Sequence, residues 1–140
     1  MPANTYNGEA IRKMTALFKP FNTPAYNWLM EKGYRELTEA GEFLKSGKEK
    51  NFQWLIDNKH FELAAFCNAA NGDKKAFQWL MQHNSIFWAA TANAVNKDVK
   101  AMLWLKEHKI IAYLELAEAI IDFNKHDNSD FSGYYKAPGK

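Results

Sequence analysis

The sequence predicts an all-α fold, an α-solenoid of about nine short helices stacked as antiparallel pairs, and three observations predict it. The pair Trp-Leu recurs at Trp28-Leu29, Trp54-Leu55, Trp79-Leu80 and Trp104-Leu105, in steps of 26, 25 and 25 residues. Two further columns keep the same register, Ala25, Ala76 and Ala101 three positions before the tryptophan and Lys50, Lys75 and Lys100 four before it. Each Trp-Leu is followed by a short polar break, EKGYR, DNKHF, QHNSI or EHKII, and alanine-rich stretches such as ELAAFCNAANGD and FWAATANAVNKD then end in Asn-Gly-Asp or Asn-Lys-Asp. Self-similarity at such a period marks a repeat array, because one helix pair cannot bury its apolar surface alone and each lends a face to the next.

The elements follow in order. A first helix runs roughly over residues 8 to 19 and stops at Pro20, which cannot continue it. Thr23 reads as an N-cap with Pro24 at the first helical position, and Gly33 closes that second helix. Further helices begin near residues 35, 48, 61, 73, 86, 98 and 110. Asn71 and Gly72 suit a left-handed helix end, and Asp73 suits the N-cap of the next helix. In the third Trp helix Ala76, Phe77, Trp79, Leu80 and Met81 cover most of the circumference, so it must touch neighbours on both sides. Trp28, Trp54, Trp79 and Trp104 are expected to form a buried ladder, and the alanines to let helix axes approach closely.

These elements make one domain, residues 1–123, with units at about 25–50, 51–75, 76–100 and 101–123. Residues 124–140 lose helical period and read as a flexible or capping tail, in which Phe131, Tyr134 and Tyr135 either cover the last helix or dock elsewhere. At 140 residues and 47% hydrophobic content the chain can bury a proper core. A formal charge of +2 is too weak to predict nucleic-acid or membrane binding from the whole-molecule field, so any basic site is local. Cys67 is the single cysteine, which excludes an internal disulfide, and with no signal-peptide pattern at the start the expectation is a cytoplasmic protein. The stretch from Ala76 to Asn96 lacks charge but carries too many amides and hydroxyls for a bilayer span.

Residues 67–80, CNAANGDKKAFQWL, resemble ankyrin-type repeats, in which a small-residue first helix, a glycine turn and an apolar second helix ending in Leu-Leu or Trp-Leu follow one another. The similarity covers roughly residues 25 to 122. It departs from the family in its 25-residue period, which leaves no room for a β-hairpin finger, and in lacking the Thr-Pro-Leu-His tetrapeptide. The resemblance implies a hairpin-less array, an ankyrin-like or HEAT-like superhelix, and a non-catalytic scaffold for binding proteins.

Four groups of residues are candidates for function. Phe87 and Trp88 fall outside the repeated column, and Trp88 reads either as a surface anchor of the kind enriched at binding hot spots or as core. Asn68 and Asn93 recur fourteen residues after their tryptophans, inside alanine-rich helices where asparagine is unfavourable. They either bond between repeats or read a partner's backbone. Lys50, Lys75 and Lys100 sit where the helix dipole disfavours cations, which suggests either a solvated ridge or a site for nucleic acid or an acidic ligand. His83 and His108 share a repeat position with Asn58, without a carboxylate column beside them, so no metal is expected.

No catalytic motif stands in the chain: GEFLKSGKE lacks the phosphate-loop spacing, and Cys67 has no activating neighbour in sequence. Glu36, Glu39 and Glu62 are the carboxylates an enzyme would have to bring into a cleft. The reading is therefore a binding module, not an enzyme, with no cofactor. It is expected to act as a monomer or homodimer that engages an unidentified protein through Asn68, Phe87, Trp88 and Asn93, centred on the charge-free span. Nucleic-acid or acidic-ligand binding along the lysine column is the alternative.

Overall fold

A computed structural model describes the backbone of residues 5–139 and the side chains of residues 5–126. Among the described residues there are nine helices and no strand. They are α1 (Gly8–Ala16), α2 (Thr23–Glu31), α3 (Arg35–Ser46), α4 (Glu49–Asp57), α5 (Phe61–Ala70), α6 (Lys74–Gln82), α7 (Ile86–Val95), α8 (Val99–Glu107) and α9 (Ile111–Gly139). Every start lies within one residue of its expected position.

The turns repeat more strictly than the helices. Positive φ occurs, among the described residues, at Phe21, Gly33, Gly47, Lys59, Gly72, Asn84, Lys97 and Lys109. These fall into two columns, seven residues before and five residues after each repeat tryptophan. After the even-numbered helices the backbone N–H of Tyr34, His60, Ser85 and Ile110 donates to the carbonyl of Leu29, Leu55, Leu80 and Leu105, each at 2.8 Å. One left-handed residue turns the chain and the N–H after it satisfies an orphan helix carbonyl, a Schellman closure. Asp73 is an N-cap as expected, and Asp98 is another, each accepting from two backbone N–H groups. Thr23 is not: Asn22 occupies the N-cap without a capping bond, and its amide instead donates to the carbonyls of Leu17 and Lys19 at the end of α1.

Connections of two to six residues make consecutive helices antiparallel, so all odd-numbered helices run the same way. Contacts between equivalent ends agree. Asn96 at the end of α7 donates to the Ala69 carbonyl near the end of α5, and Ser85, at the N-cap position of α7, donates to Glu62 in the first turn of α5. The odd helices form the inner layer, α3 on α5, α5 on α7 and α7 on α9. Packing of α1 on both α9 and α3 then closes a circuit, so the first and last helices seal one another instead of leaving two open ends. Phe18 meets Phe123 edge-on across this seam, and the Tyr6 N–H donates to the Tyr113 hydroxyl. Gly41 permits the close approach of α3 to α1, since a Cβ there would lie 2.9 Å from Leu17 Cδ1.

The even helices form an outer layer. Each rests on its two inner neighbours, and among the described residues no outer helix packs on another. The expected buried tryptophan ladder is therefore absent. Leu29, Leu55, Leu80 and Leu105 are the fully buried members of the four Trp-Leu pairs, wedged between inner helices, while the tryptophans are half-buried. Each indole stacks locally, Trp28 on Tyr34, Trp54 on His60, Trp79 on His83 and Trp104 on His108. A tryptophan beside its leucine points about 100° away on a helix, so one position of the pair enters the core and the other flanks it.

Helix α7 packs against α5, α6, α8 and α9, which explains why its part of the charge-free span carries no charge: it is surrounded. Helix α9 runs on through Asn124, where the tail was set apart. The capping role expected of Phe131, Tyr134 and Tyr135 lies outside the described side chains.

Candidate interaction groove

Because the outer helices do not touch, a groove opens between neighbours. The one between α4 and α6 has α5 as its floor and a volume of about 450 Å³. Phe52 and Ile56 from α4 form one wall and Trp79 and Ala76 from α6 the other, with Ala64, Ala65 and Phe61 beneath. Alanines on α5 give the groove depth. Phe52 is braced from behind by Phe43, ring centroids 5.3 Å apart, so the wall is set by packing and not by solvent.

Asn68 lies on this floor and Lys75 at its rim, so two of the expected site residues come together. The Asn68 carboxamide is half-buried and makes no hydrogen bond within the described residues, whereas its backbone carbonyl accepts from the Asp73 N–H at 3.0 Å. Bonding between repeats falls instead to Asn96. Asn93 and Lys100 hold the same register positions one repeat later, on α7 and α8. In the preceding repeat Glu42 takes the place of Asn68 and pairs with Lys45 at 3.5 Å. The groove over α5 thus differs chemically from the position over α3.

Trp88 is not a surface anchor. It is 1% exposed, against Phe66 with centroids 4.6 Å apart and edge-on to Tyr6 and Tyr113. Phe87 is half-buried, its ring edge-on to Tyr113 and Trp104. The step from α6 to α7 turns Phe87 toward α8 and α9 and Trp88 between α5 and α9, an arrangement the local sequence does not encode. Lys50, Lys75 and Lys100 are all exposed in the first turns of α4, α6 and α8. The walls of the groove were not anticipated; the shared column of Phe52 and Phe77 was the available signal.

The titratable groups are engaged structurally. Glu36 accepts from the Tyr6 hydroxyl at 2.9 Å, Glu62 from Ser85, and Glu39 from both Asn51 and Arg35. Burial and then the nearby Glu36 charge push the Tyr6 phenol well above its ordinary range, and burial pushes Tyr113 up to about 12. Cys67 is fully buried, its thiol raised by desolvation and 3.8 Å from the Ala40 carbonyl. A buried thiol of raised pKa is a poor nucleophile. His83 and His108 bond the carbonyls of their own helix ends, and no group of three metal-ligating side chains occurs among the described residues. No helix among them is long and apolar enough to cross a membrane.

No protein-family model, no curated protein and no solved structure matches the chain.

Proposed function

We propose that this chain is a non-catalytic binding module that takes an extended segment of a partner protein in the groove over α5. The observation that carries the proposal is the Asn68 carboxamide, half-buried at the floor of an apolar groove with donor and acceptor both unused by the described residues. The carboxamide atoms remain open to solvent, and a backbone amide of an extended peptide offers them the complementary donor and acceptor. The apolar walls admit one large aliphatic or aromatic side chain, and Lys75 at the rim favours a neighbouring carboxylate. The same reading treats the helix pairs as units of a short array similar in plan to ankyrin-type scaffolds, acting in the cytoplasm as a monomer or homodimer.

Panning a random-peptide display library on the immobilised chain tests this. Enriched peptides should carry a large apolar residue beside Asp or Glu, and Ala65→Trp, which fills the groove from its half-exposed side, should abolish capture while leaving the circular dichroism spectrum unchanged. Peptides that bind Ala65→Trp as well as the parent would overturn the groove as the site.

A further inference from the structure

The four turns joining inner to outer helices emerge at one end of the molecule, because the inner helices are parallel. Six lysines, Lys48, Lys50, Lys74, Lys75, Lys97 and Lys100, are exposed on three of those turns and the helical turns that follow. Facing them are Glu49, Asp73 and Asp98, of which the two aspartates are occupied as N-caps. At the opposite end charges alternate, as in Glu31-Lys32, Arg35-Glu36 and Asp57 with Lys59. Lysines close to the inner-helix C-termini favour those dipoles, but Lys50, Lys75 and Lys100 stand in the first turns of outer helices, where the dipole opposes them.

The fourth turn carries Lys19 and Phe21. Phe21 is 96% exposed and holds φ at 58°, in the column filled elsewhere by Gly47, Gly72 and Lys97. A left-handed backbone is unfavourable for any residue with a Cβ, and the ring recovers almost nothing by packing. An aromatic side chain held out to solvent at the expense of backbone strain is an outlier that points to use.

We propose that this end binds single-stranded nucleic acid, with Phe21 stacking on a base and the lysines following the phosphates. The ring stands on an open turn and presents a flat π-face, as base stacking requires, while the lysine arc supplies charge complementarity without sequence readout. A bilayer fits less well. Helix α9 leaves through the same end: α7 stops at Val95, whose register equivalent is Ile120, so residues 121–126 already overhang the turns by roughly 9 Å at ~1.5 Å per residue. A strand can pass beside that helix, whereas a planar surface meets it first.

Fluorescence anisotropy of labelled mixed-sequence RNA and DNA single strands, titrated with the full chain over a range of salt, tests the proposal. Binding should appear at low salt and weaken with salt. Phe21→Gly should reduce affinity about tenfold, as expected for a lost stack. The same substitution should raise the melting temperature by relieving the backbone, which separates lost binding from lost folding. Replacing Lys50, Lys75 and Lys100 together with Gln should flatten the slope of log affinity against log salt by roughly two. Absence of oligonucleotide binding, an unchanged affinity in Phe21→Gly, or tighter binding to phosphatidylserine vesicles or polyglutamate than to the oligonucleotides would each overturn it.

Discussion

His83 donates its Nδ1 hydrogen to the carbonyl oxygen of Trp79 at 2.8 Å, and its ring lies over the indole of the same residue with centroids 3.7 Å apart. His108 repeats both contacts on Trp104, and Asn58 makes the hydrogen bond alone, to the Trp54 carbonyl at 2.9 Å. In the last three units the position four after the tryptophan is thus a side-chain cap for the outer-helix C-terminus, which is why histidine and asparagine interchange there. His83→Ala should cost about 0.5–1.5 kcal/mol in urea unfolding, the ordinary worth of one hydrogen bond. His83→Asn should recover most of that. Equal losses for both substitutions would show that the ring stack, and not the bond, holds the helix end.

The left-handed columns make a second prediction. Lys59→Gly and Lys109→Gly should each stabilise the fold by about 1 kcal/mol, because glycine adopts the observed φ of 64° and 60° without a Cβ clash. Part of that gain is offset by the greater freedom of glycine in the unfolded chain. Gly72→Ala, at φ 100°, should go the other way. Melting temperatures of the three variants check the sign, and a stabilised Gly72→Ala would contradict the turn assignment.

The weight carried by the buried leucine column is measurable. Leu80 is fully buried, and Leu80→Ala should cost roughly 2–5 kcal/mol through lost burial and the cavity left behind. Gln78, two residues earlier, is exposed, and Gln78→Ala should stay within about 0.5 kcal/mol. Equilibrium denaturation distinguishes them readily.

Alkali should loosen the seam between α1 and α9. Tyr113 titrates at about 12 in the folded chain and Tyr6 is raised still further, against about 10 for an unfolded tyrosine. Above pH 10 the unfolded chain releases these protons first, so stability present below pH 10 is lost as pH rises toward 12. The melting temperature should fall over that window, and less steeply in Tyr113→Phe. That variant also loses the acceptor for the Tyr6 N–H, so it should start from a lower stability at neutral pH.

Much of this was legible in the chain. Asn-Gly-Asp and Asn-Lys-Asp announced helix ends because asparagine, glycine and aspartate act through their own backbone and near neighbours. Phe21 was legible too, since it stands in a column that holds Gly47 and Gly72, and the spacing alone would have flagged it. Trp88 was not: the same Ile-Phe-Trp run reads equally as a surface anchor or as core until Phe66, Tyr6 and Tyr113 are seen to surround it.

The sequence by itself determined the helices, their turns and their repeat, because each depends on residues within one turn of one another and recurs every 25 or 26 positions. Tertiary structure alone decided that α1 closes on α9, that leucine and not tryptophan fills the core, and that Asn68 meets Phe52, Trp79 and Lys75 in one groove. The seam joins residues as far apart as Tyr6 and Tyr113, and the groove gathers residues from three successive helices. Periodicity records which positions share a local environment; it carries no information on which distant faces meet, and that is settled by the packing of whole helices.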